Sequence, residues 1–382
     1  MREGWELKIM SEVFDVRDGT HDSPKYQDEG YPLITSKNLK NGKITFDKIK
    51  YINKADYNNI NKRSKVDIGD VLFAMIGTIG NPTLVTKEPN FAIKNVALFK
   101  INNSQNGQYL KYYLESKFVI DKMLNDAKGT TQRFVGLGYL RKFPIPIPTL
   151  AEQQQIVDIL DKAFTAIDTA KANIEKNIEN AKELFQSKLN QIFSQTGDGW
   201  EEKTWKEVLE IRSGRNQKEV QSLDGKYPIL GSAGKIMAYA DKFICEEGTT
   251  IIGRKGTINN PMYIETKFWN VDTAFGLHAL ENLDKRFLYF FCLSYDFTKR
   301  DKGSGRPSLV KNDLLKMVMP IPLLETQRET VTICENLKKK IELIETNYLN
   351  KIKSLEELKK SILQKAFAGE LTSVNTITTP QN

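Results

Sequence analysis

The chain has 382 residues, 40% of them apolar, a mean hydropathy of -0.44 and a formal net charge of +8. That length exceeds one ordinary domain and suffices for two cores, while the positive charge suits a polyanionic partner but is also common on proteins that never meet one. Cys245, Cys292 and Cys334 show no CxxC spacing and cannot all pair within one chain, which argues against a cysteine-built metal site and for a reducing compartment. The amino-terminal MREGWELKIMSEVFDV has no apolar core of signal length. No run approaches the roughly 18 apolar residues of a membrane span, so the cytosol is the expected location.

In chain order, residues 1–145 read as a small, strand-rich α/β lobe. VLFAMIG (71–77) and NVALFKI (95–101) have the apolar and β-branched content of strands, and NGQYLKYYLESKFVIDKMLND (106–126) reads as a helix. Lysine and asparagine crowd the loops SKNLKNGK (36–43) and YINKADYNNINKRSK (51–65). PIPIPTLAEQQ at 144–154 then opens a long helical segment, 146–196. Its prolines suit an extended lead-in and lack the donor that a helix interior needs. Beyond them Ile156, Leu160, Ala163, Ile167, Ala170, Ile174, Ile178, Ala181 and Phe185 recur at steps of three or four, the stripe of a coiled-coil seam.

A second lobe is expected over 197–319, with TTIIG (249–253) as a strand and KRFLYFFCLSY (285–295) as a helix. Its basic loops are RSGRNQKEV (212–220) and IGRKGT (252–257). VMPIPLLETQR at 318–328 leads into a second helical segment, 320–371, striped by Ile333, Leu337, Ile341, Ile344, Tyr348, Ile352, Leu355 and Ile362. Residues 372–382 read as a disordered tail.

The second half repeats the first. Trp5 matches Trp200, Glu12-Val13 matches Glu207-Val208, Gly19 matches Gly214, and YPLITSKN (31–38) matches YPILGSAG (227–234). AMIGTIGNP (74–82) aligns loosely with IIGRKGTINNP (251–261). GTTQRF (129–134) then lies over GSGRPS (303–308), Leu140 over Leu314, Pro146-Ile147-Pro148 over Pro320-Ile321-Pro322, and Phe193 over Phe367. The separation is 195 residues at the tryptophans and 174 in the tails, because the YP and IG blocks are 45 residues apart in copy one and 25 in copy two. The helices keep one length while the lobes differ.

A helix of about 40 residues is roughly 60 Å long, and an exposed apolar stripe of that length needs a partner. The order lobe, helix, lobe, helix makes the two helices each other's partner, antiparallel, with Ala163, Ala170 and Ala181 admitting close approach opposite Tyr348 and Leu355. Two helices packed separately, each on its own lobe, is the plainer alternative.

No catalytic constellation is legible. IGRKGT lacks the GxxxxGK[ST] spacing of a phosphate-binding loop. NNPMY (259–263) faintly resembles the Asn-Pro-Pro-aromatic motif of adenine-N6 methyltransferases, but Met262 replaces the second proline and no glycine-rich cofactor loop accompanies it. His21 and His278 are the only histidines, and the neighbouring His21 and Asp22 are weak grounds for chemistry. A two-lobed binding protein without catalytic or metal-ligating residues is the better reading. Lysine and arginine hold phosphates, and Arg, Asn and Gln read base edges. The candidate DNA-binding residues are Lys37, Asn38, Lys94, Gln132 and Arg133 in lobe one and Arg215, Lys235, Arg254, Lys255 and Arg306 in lobe two. Solvated surface is the alternative for any single lysine; for the Arg306 block it is a tight loop, with Gly303 and Gly305 chosen for backbone geometry.

In their duplicated order PIPIPTLAEQQQIV (144–157), GSGRPSL (303–309), MPIPLLETQRETV (319–331) and ILQKAFAGEL (362–371) resemble the DNA-specificity subunit of type I restriction–modification systems, over nearly the whole chain. The resemblance implies two pseudo-repeated target recognition domains, strand-rich and α/β, separated by two long spacer helices that form an antiparallel coiled coil. Each domain would read one half of a split double-stranded DNA site, and the coiled coil would fix the gap and dock two modification (methyltransferase) subunits. S-adenosylmethionine would be bound by those subunits, and ATP and Mg2+ used in the partners, including restriction/translocase subunits, leaving this chain without cofactor, catalysis or membrane association. Unlike lobes imply an asymmetric target. An orphan DNA-binding or antirestriction protein and a coiled-coil adaptor whose lobes bind protein are the alternatives.

Overall fold

The two halves of the chain build one strand order from different lengths of sequence. The computed structural model describes residues 2–129, 132–195, 199–232 and 234–371; the expected tail at 372–382 lies outside them. The chain divides into two units, residues 1–172 with 351–382, and residues 173–350. Each unit holds one lobe and a segment of both long helices.

In the first unit, strands Asp15–Asp18, Val96–Lys100, Val71–Ala74 and Gly80–Leu84 lie side by side in that order, all antiparallel. The second unit has the same sheet from Leu209–Ser213, Ala274–Ala279, Thr249–Gly253 and Met262–Ile264. A smaller sheet accompanies each. Tyr31–Ile34 pairs antiparallel with Lys50–Ile52 and parallel with Ala92–Ile93; Tyr227–Leu230 pairs likewise with Ile236–Ala240 and Trp269–Asn270.

The repeated residues have repeated duties. Glu12 accepts from the Ile9 N–H at 3.1 Å and Glu207 from the Thr204 N–H at 2.7 Å, each capping a one-turn helix whose valine, Val13 or Val208, is buried. A Cβ at Gly19 would lie 2.2 Å from the Ile93 carbonyl oxygen, and one at Gly214 would lie 1.9 Å from that of Val271. Only glycine lets these strands leave the large sheet so close to the small one.

The extra length of lobe one has a definite form. Beyond the matched block, which ends in the 3-10 turn Ser36–Asn38, comes a hairpin of Leu39–Lys40 with Lys43–Ile44. Asn41 and Gly42 close that hairpin with positive φ of 51° and 69°, the backbone that an Asn-Gly pair favours. A helix, Lys54–Ser64, follows the next strand. Lobe two passes from Tyr227–Leu230 through a short loop directly to Ile236–Ala240.

The segment expected as one helix over 106–126 is two, Gly107–Glu115 and Lys117–Asp126. Ser116 between them is buried and extended (ψ 139°), and its hydroxyl donates to the Tyr113 carbonyl, a local bond that competes with helix continuation. The proline lead-ins are strands: Pro144–Ile147 pairs with Glu6–Ile9, and Val318–Pro322 with Trp200–Thr204. Pro144 and Pro146 alternate with Ile145 and Ile147, at ladder positions whose N–H would face away from Glu6–Ile9, so their missing N–H groups cost no ladder bond. Their carbonyls accept from the Tyr113 and Tyr109 hydroxyls, each at 2.7 Å.

The long helices are Leu150–Phe193 and Leu324–Ala368, and they pack both on the lobes and on each other. In the first unit Ile156, Leu160, Phe164 and Ile167 share the lobe core with Leu363, Ala366 and Phe367. Lys171 meets Glu356 at 2.9 Å, and Asp168 meets Lys359 at 4.0 Å. In the second unit Leu189 and Phe193 share a core with Val331 and Cys334, and Lys182 meets Glu345 at 2.7 Å. Within the first unit, a step back along one helix answers a step forward along the other, so the pairing is antiparallel.

Two seam assignments need correction. Ile333 is 59% exposed and Ile344 38% exposed. The inward line steps by sevens through Cys334, Ile341, Tyr348, Leu355 and Ile362, and by sevens again through Val331, Lys338, Glu345, Ile352, Lys359 and Ala366. Ile333 and Ile344 stand one residue, about 100° of helix rotation, to the side. Apolar side chains off the heptad drew them into the stripe. Val157, Phe164 and Leu189 are buried members that the periodicity left out.

Candidate nucleic-acid interface

Lys40 of the inserted hairpin and the turns on either side of it line a cleft of about 920 Å3. Lys37, Lys40, Lys48, Lys50 and Lys94 line it with Tyr26, Asn95 and Gln132, against a single carboxylate, Asp47. Five ammonium groups in a concave surface concentrate positive potential where a polyanion would lie. Lys94 donates to the Ser23 hydroxyl at 2.6 Å, and the Lys50 ammonium stands 4.1 Å from the centre of the Tyr26 ring.

Of the residues expected to meet DNA in this lobe, Lys37, Asn38, Lys94 and Gln132 line the cleft and Arg133 does not. Asn38 is only 6% exposed. Its Oδ1 accepts from the Thr35 N–H and hydroxyl at 3.0 and 2.9 Å, and its Nδ2 donates to the Thr45 carbonyl at 3.1 Å. With both carbonyl lone pairs taken, this side chain shapes the turn that presents Lys37.

His21 reaches back three residues, not to Asp22: its Nε2 lies 2.8 Å from Asp18 Oδ2 and its Nδ1 2.8 Å from Asn95 Oδ1. Asp18 is buried and also receives Arg63. This network fixes Asn95, which has φ of 54°, at the edge of the cleft.

A clasp of two loops recurs in both lobes. The Gly77 N–H donates to the Arg133 carbonyl at 2.9 Å and Val135 N–H to Met75 at 3.0 Å; Gly256 donates to Pro307 and Leu309 to Arg254, both at 2.8 Å. A Cβ at Gly129 would lie 2.4 Å from the Gln132 carbonyl oxygen, and one at Gly303 would lie 1.9 Å from that of Arg306. Gly303 therefore serves the turn, whereas space is open around Gly305. Gln132 and Arg306, matched in the repeat, reach over matched glycines: a Cβ at Gly77 would meet the Gln132 amide nitrogen at 3.5 Å, and one at Gly256 the Arg306 guanidinium at 2.8 Å. Both side chains are exposed. In lobe two Asp301 Oδ1 accepts from the Gly303 and Ser308 N–H groups, each at 2.8 Å, which holds its carboxyl below the usual range.

The lobe-two clasp gathers Arg254, Lys255 and Arg306. Arg254 borders a cleft of about 300 Å3 with Phe275 and Lys311, and its guanidinium lies 5.6 Å from the Phe275 ring centre. Arg215 and Lys235 are exposed on other loops, following Leu209–Ser213 and preceding Ile236–Ala240. In NNPMY, Asn259 Oδ1 accepts from the Phe297 N–H at 2.9 Å, a bond internal to the lobe. His278 is half-buried, and burial pushes its pKa down. Among the described residues no group of three or more His, Cys, Asp or Glu is placed to hold a metal ion, and no helix is long and apolar enough to cross a membrane.

Two residues were missed by periodicity and by charge. Gln153 and Gln327, at the starts of the two long helices, are 1% and 0% exposed. Gln327 Nε2 donates to the Pro322 and Asn282 carbonyls at 2.9 and 3.0 Å, and its Oε1 accepts from the Asp284 N–H at 2.7 Å. Gln153 donates to the Pro148 carbonyl at 3.1 Å and to Gln105 Oε1 at 3.3 Å, and accepts from the Asn106 N–H at 3.1 Å. Asn106 and Asp284 are the N-caps of the lobe helices. Each glutamine thus ties three backbone segments of its unit together, and its alignment in AEQQ and ETQR was the available signal.

The family model for the type I restriction modification DNA specificity domain matches residues 2–180 and 197–354. The type I restriction enzyme MjaVIII specificity subunit of Methanocaldococcus jannaschii is 24% identical over 98% of this chain and 94% of its own length. The StySPI specificity subunit of Salmonella potsdam is 24% identical over 97% of this chain and 90% of its own. Among solved structures, a chain from work on assembly and conformational transition of the type I R-M system superposes with TM-score 0.78 at 19% identity, covering 97% of this chain and 99% of that one. The HsdS subunit from Thermoanaerobacter tengcongensis gives 0.60 at 19% identity, covering 97% and 98%. These two likenesses concern the fold.

Proposed function

The chain belongs to the type I restriction modification DNA specificity family, and on that premise we propose that each lobe reads one half of an asymmetric, bipartite DNA target. The paired helices set the spacer between the half-sites, several base pairs of indifferent sequence, and dock the methyltransferase subunits. Adenine methylation with S-adenosylmethionine, and ATP- and Mg2+-dependent translocation and cutting, belong to the partner subunits. This chain contributes recognition and no bond-making step.

The observation that carries the reading is one lobe topology used twice with unlike surfaces. The same strand order and clasp recur, yet the lysine-lined cleft draws Lys40 and Lys48 from a stretch that lobe two lacks. Equivalent scaffolds with different contact groups suit two different half-sites.

The test is selection of duplexes from a randomised pool by this chain reconstituted with its modification subunit. Two unlike half-sites at constant separation are expected. A perfect palindrome would overturn the asymmetry, and tight binding without enrichment would favour the protein-binding adaptor.

A further inference from the structure

Four non-glycine residues among those described have left-handed backbone: Asn41, Asn81, Asn95 and Lys48. Asparagine tolerates that region because its short amide bonds to nearby backbone; lysine has no such compensation. Lys48 has φ of 53° and is the third residue of a turn in which the Ile49 N–H donates to the Phe46 carbonyl at 3.2 Å. Turns with positive φ at that position favour Gly or Asn. The turn therefore carries a residue that its backbone disfavours.

The side chain supplies the reason. Lys48 is exposed and lines the lobe-one cleft with Lys37, Lys40, Lys50 and Lys94. Two of these, Lys40 and Lys48, belong to the stretch that lobe two lacks. Building on the DNA-recognition reading above, we propose that Lys48 is a phosphate-gripping residue, retained at the cost of backbone strain. An ammonium on a flexible stem neutralises a phosphate and carries no base preference. Its removal should weaken cognate and unrelated duplexes alike.

The experiment uses the full chain assembled with its modification subunit, comparing wild type with Lys48→Gly and Lys48→Asn. Both replacements relax the backbone while removing the charge, so lost binding cannot be lost folding. Melting temperature is expected to hold or rise. Affinity for both duplexes is expected to fall about threefold to tenfold, and the slope of log K against log salt to become shallower by about one. Unchanged affinity and slope in both variants would overturn the proposal, as would weakening confined to the cognate duplex, which would make Lys48 a base reader. If the wild-type assembly bound no duplex, the recognition reading would fall and this proposal with it; wild-type binding with unaltered variants overturns the proposal alone.

Discussion

Replacing Gln327 with methionine removes an amide and keeps most of its volume. The wild-type side chain is fully buried and makes three bonds of 2.7–3.0 Å, two to carbonyls and one from the Asp284 N–H. Leaving a buried group unpaired costs about 1–3 kcal/mol. The Pro322 carbonyl is buried and belongs at the middle of that range, about 2 kcal/mol. The Asp284 and Asn282 groups are half-exposed, so water recovers part of each loss, leaving about 1 kcal/mol apiece. The apolar chain returns up to about 1 kcal/mol of burial, for a net loss of about 3 kcal/mol. Urea unfolding followed by tryptophan fluorescence suits the measurement, because Trp200, Trp205 and Trp269 lie in the second unit. Hydrogen exchange over residues 282–288 would speed up together with the stability loss. Gln153→Met, whose bonds are 3.1–3.3 Å, should cost somewhat less in the first unit. A loss below about 1 kcal/mol in both variants, with exchange unchanged, would refute the tie between helix and lobe.

Leu363→Ala, in the core shared by both long helices and lobe one, should cost about 2–5 kcal/mol, whereas Ile333→Ala should stay within about 0.5 kcal/mol; denaturant midpoints decide. Charge removal at Arg254 or Lys255 should weaken binding of the assembled complex to cognate DNA. Unchanged affinity and salt dependence in both variants would exclude that loop. Asp301 has its carboxyl pKa lowered by folding, so its support of the clasp is complete above the ordinary carboxylate value of about 4 and fades as pH falls through the lowered one. Amide exchange at Gly303 and Ser308 should accelerate only in that acid range, and Asp301→Asn should abolish the pH dependence.

Repetition proved the most legible part of the sequence, because each matched residue answers a constraint that both lobes share. Glu12 and Glu207 must cap, and Gly19 and Gly214 must lack a Cβ. The strands Val71–Ala74 and Thr249–Gly253 were readable because their side chains are buried throughout. The helix seam was readable in period and, at Ile341, Tyr348, Ile352, Leu355 and Ile362, in phase; Ile333 and Ile344 are apolar by composition but lie outside the heptad lines. The cleft was only half visible. Lys37 and Lys94 stand 57 residues apart in sequence, and only the parallel pairing of Tyr31–Ile34 with Ala92–Ile93 brings their loops together. Asn38 shows the opposite limit. Its amide resembles a base reader's in sequence, and only the Thr35 and Thr45 contacts show that it is spent inside the turn.

The ion pairs between the long helices carry a record of the duplication. Lys171 corresponds in the repeat to Glu345, and Lys182 to Glu356, at the same separation of 174 that relates the tails. The observed bridges are Lys171–Glu356 and Lys182–Glu345. An ancestral single copy, pairing with itself in this register, would have set each of these positions against the other. Today the first helix has lysine at both and the second glutamate at both. Two first helices, or two second ones, would bring like charges together, while the unlike pair attracts. The charges thus favour the unlike pair of helices over a pair of like ones, a small preference in energy that suits two helices supplied by one polypeptide.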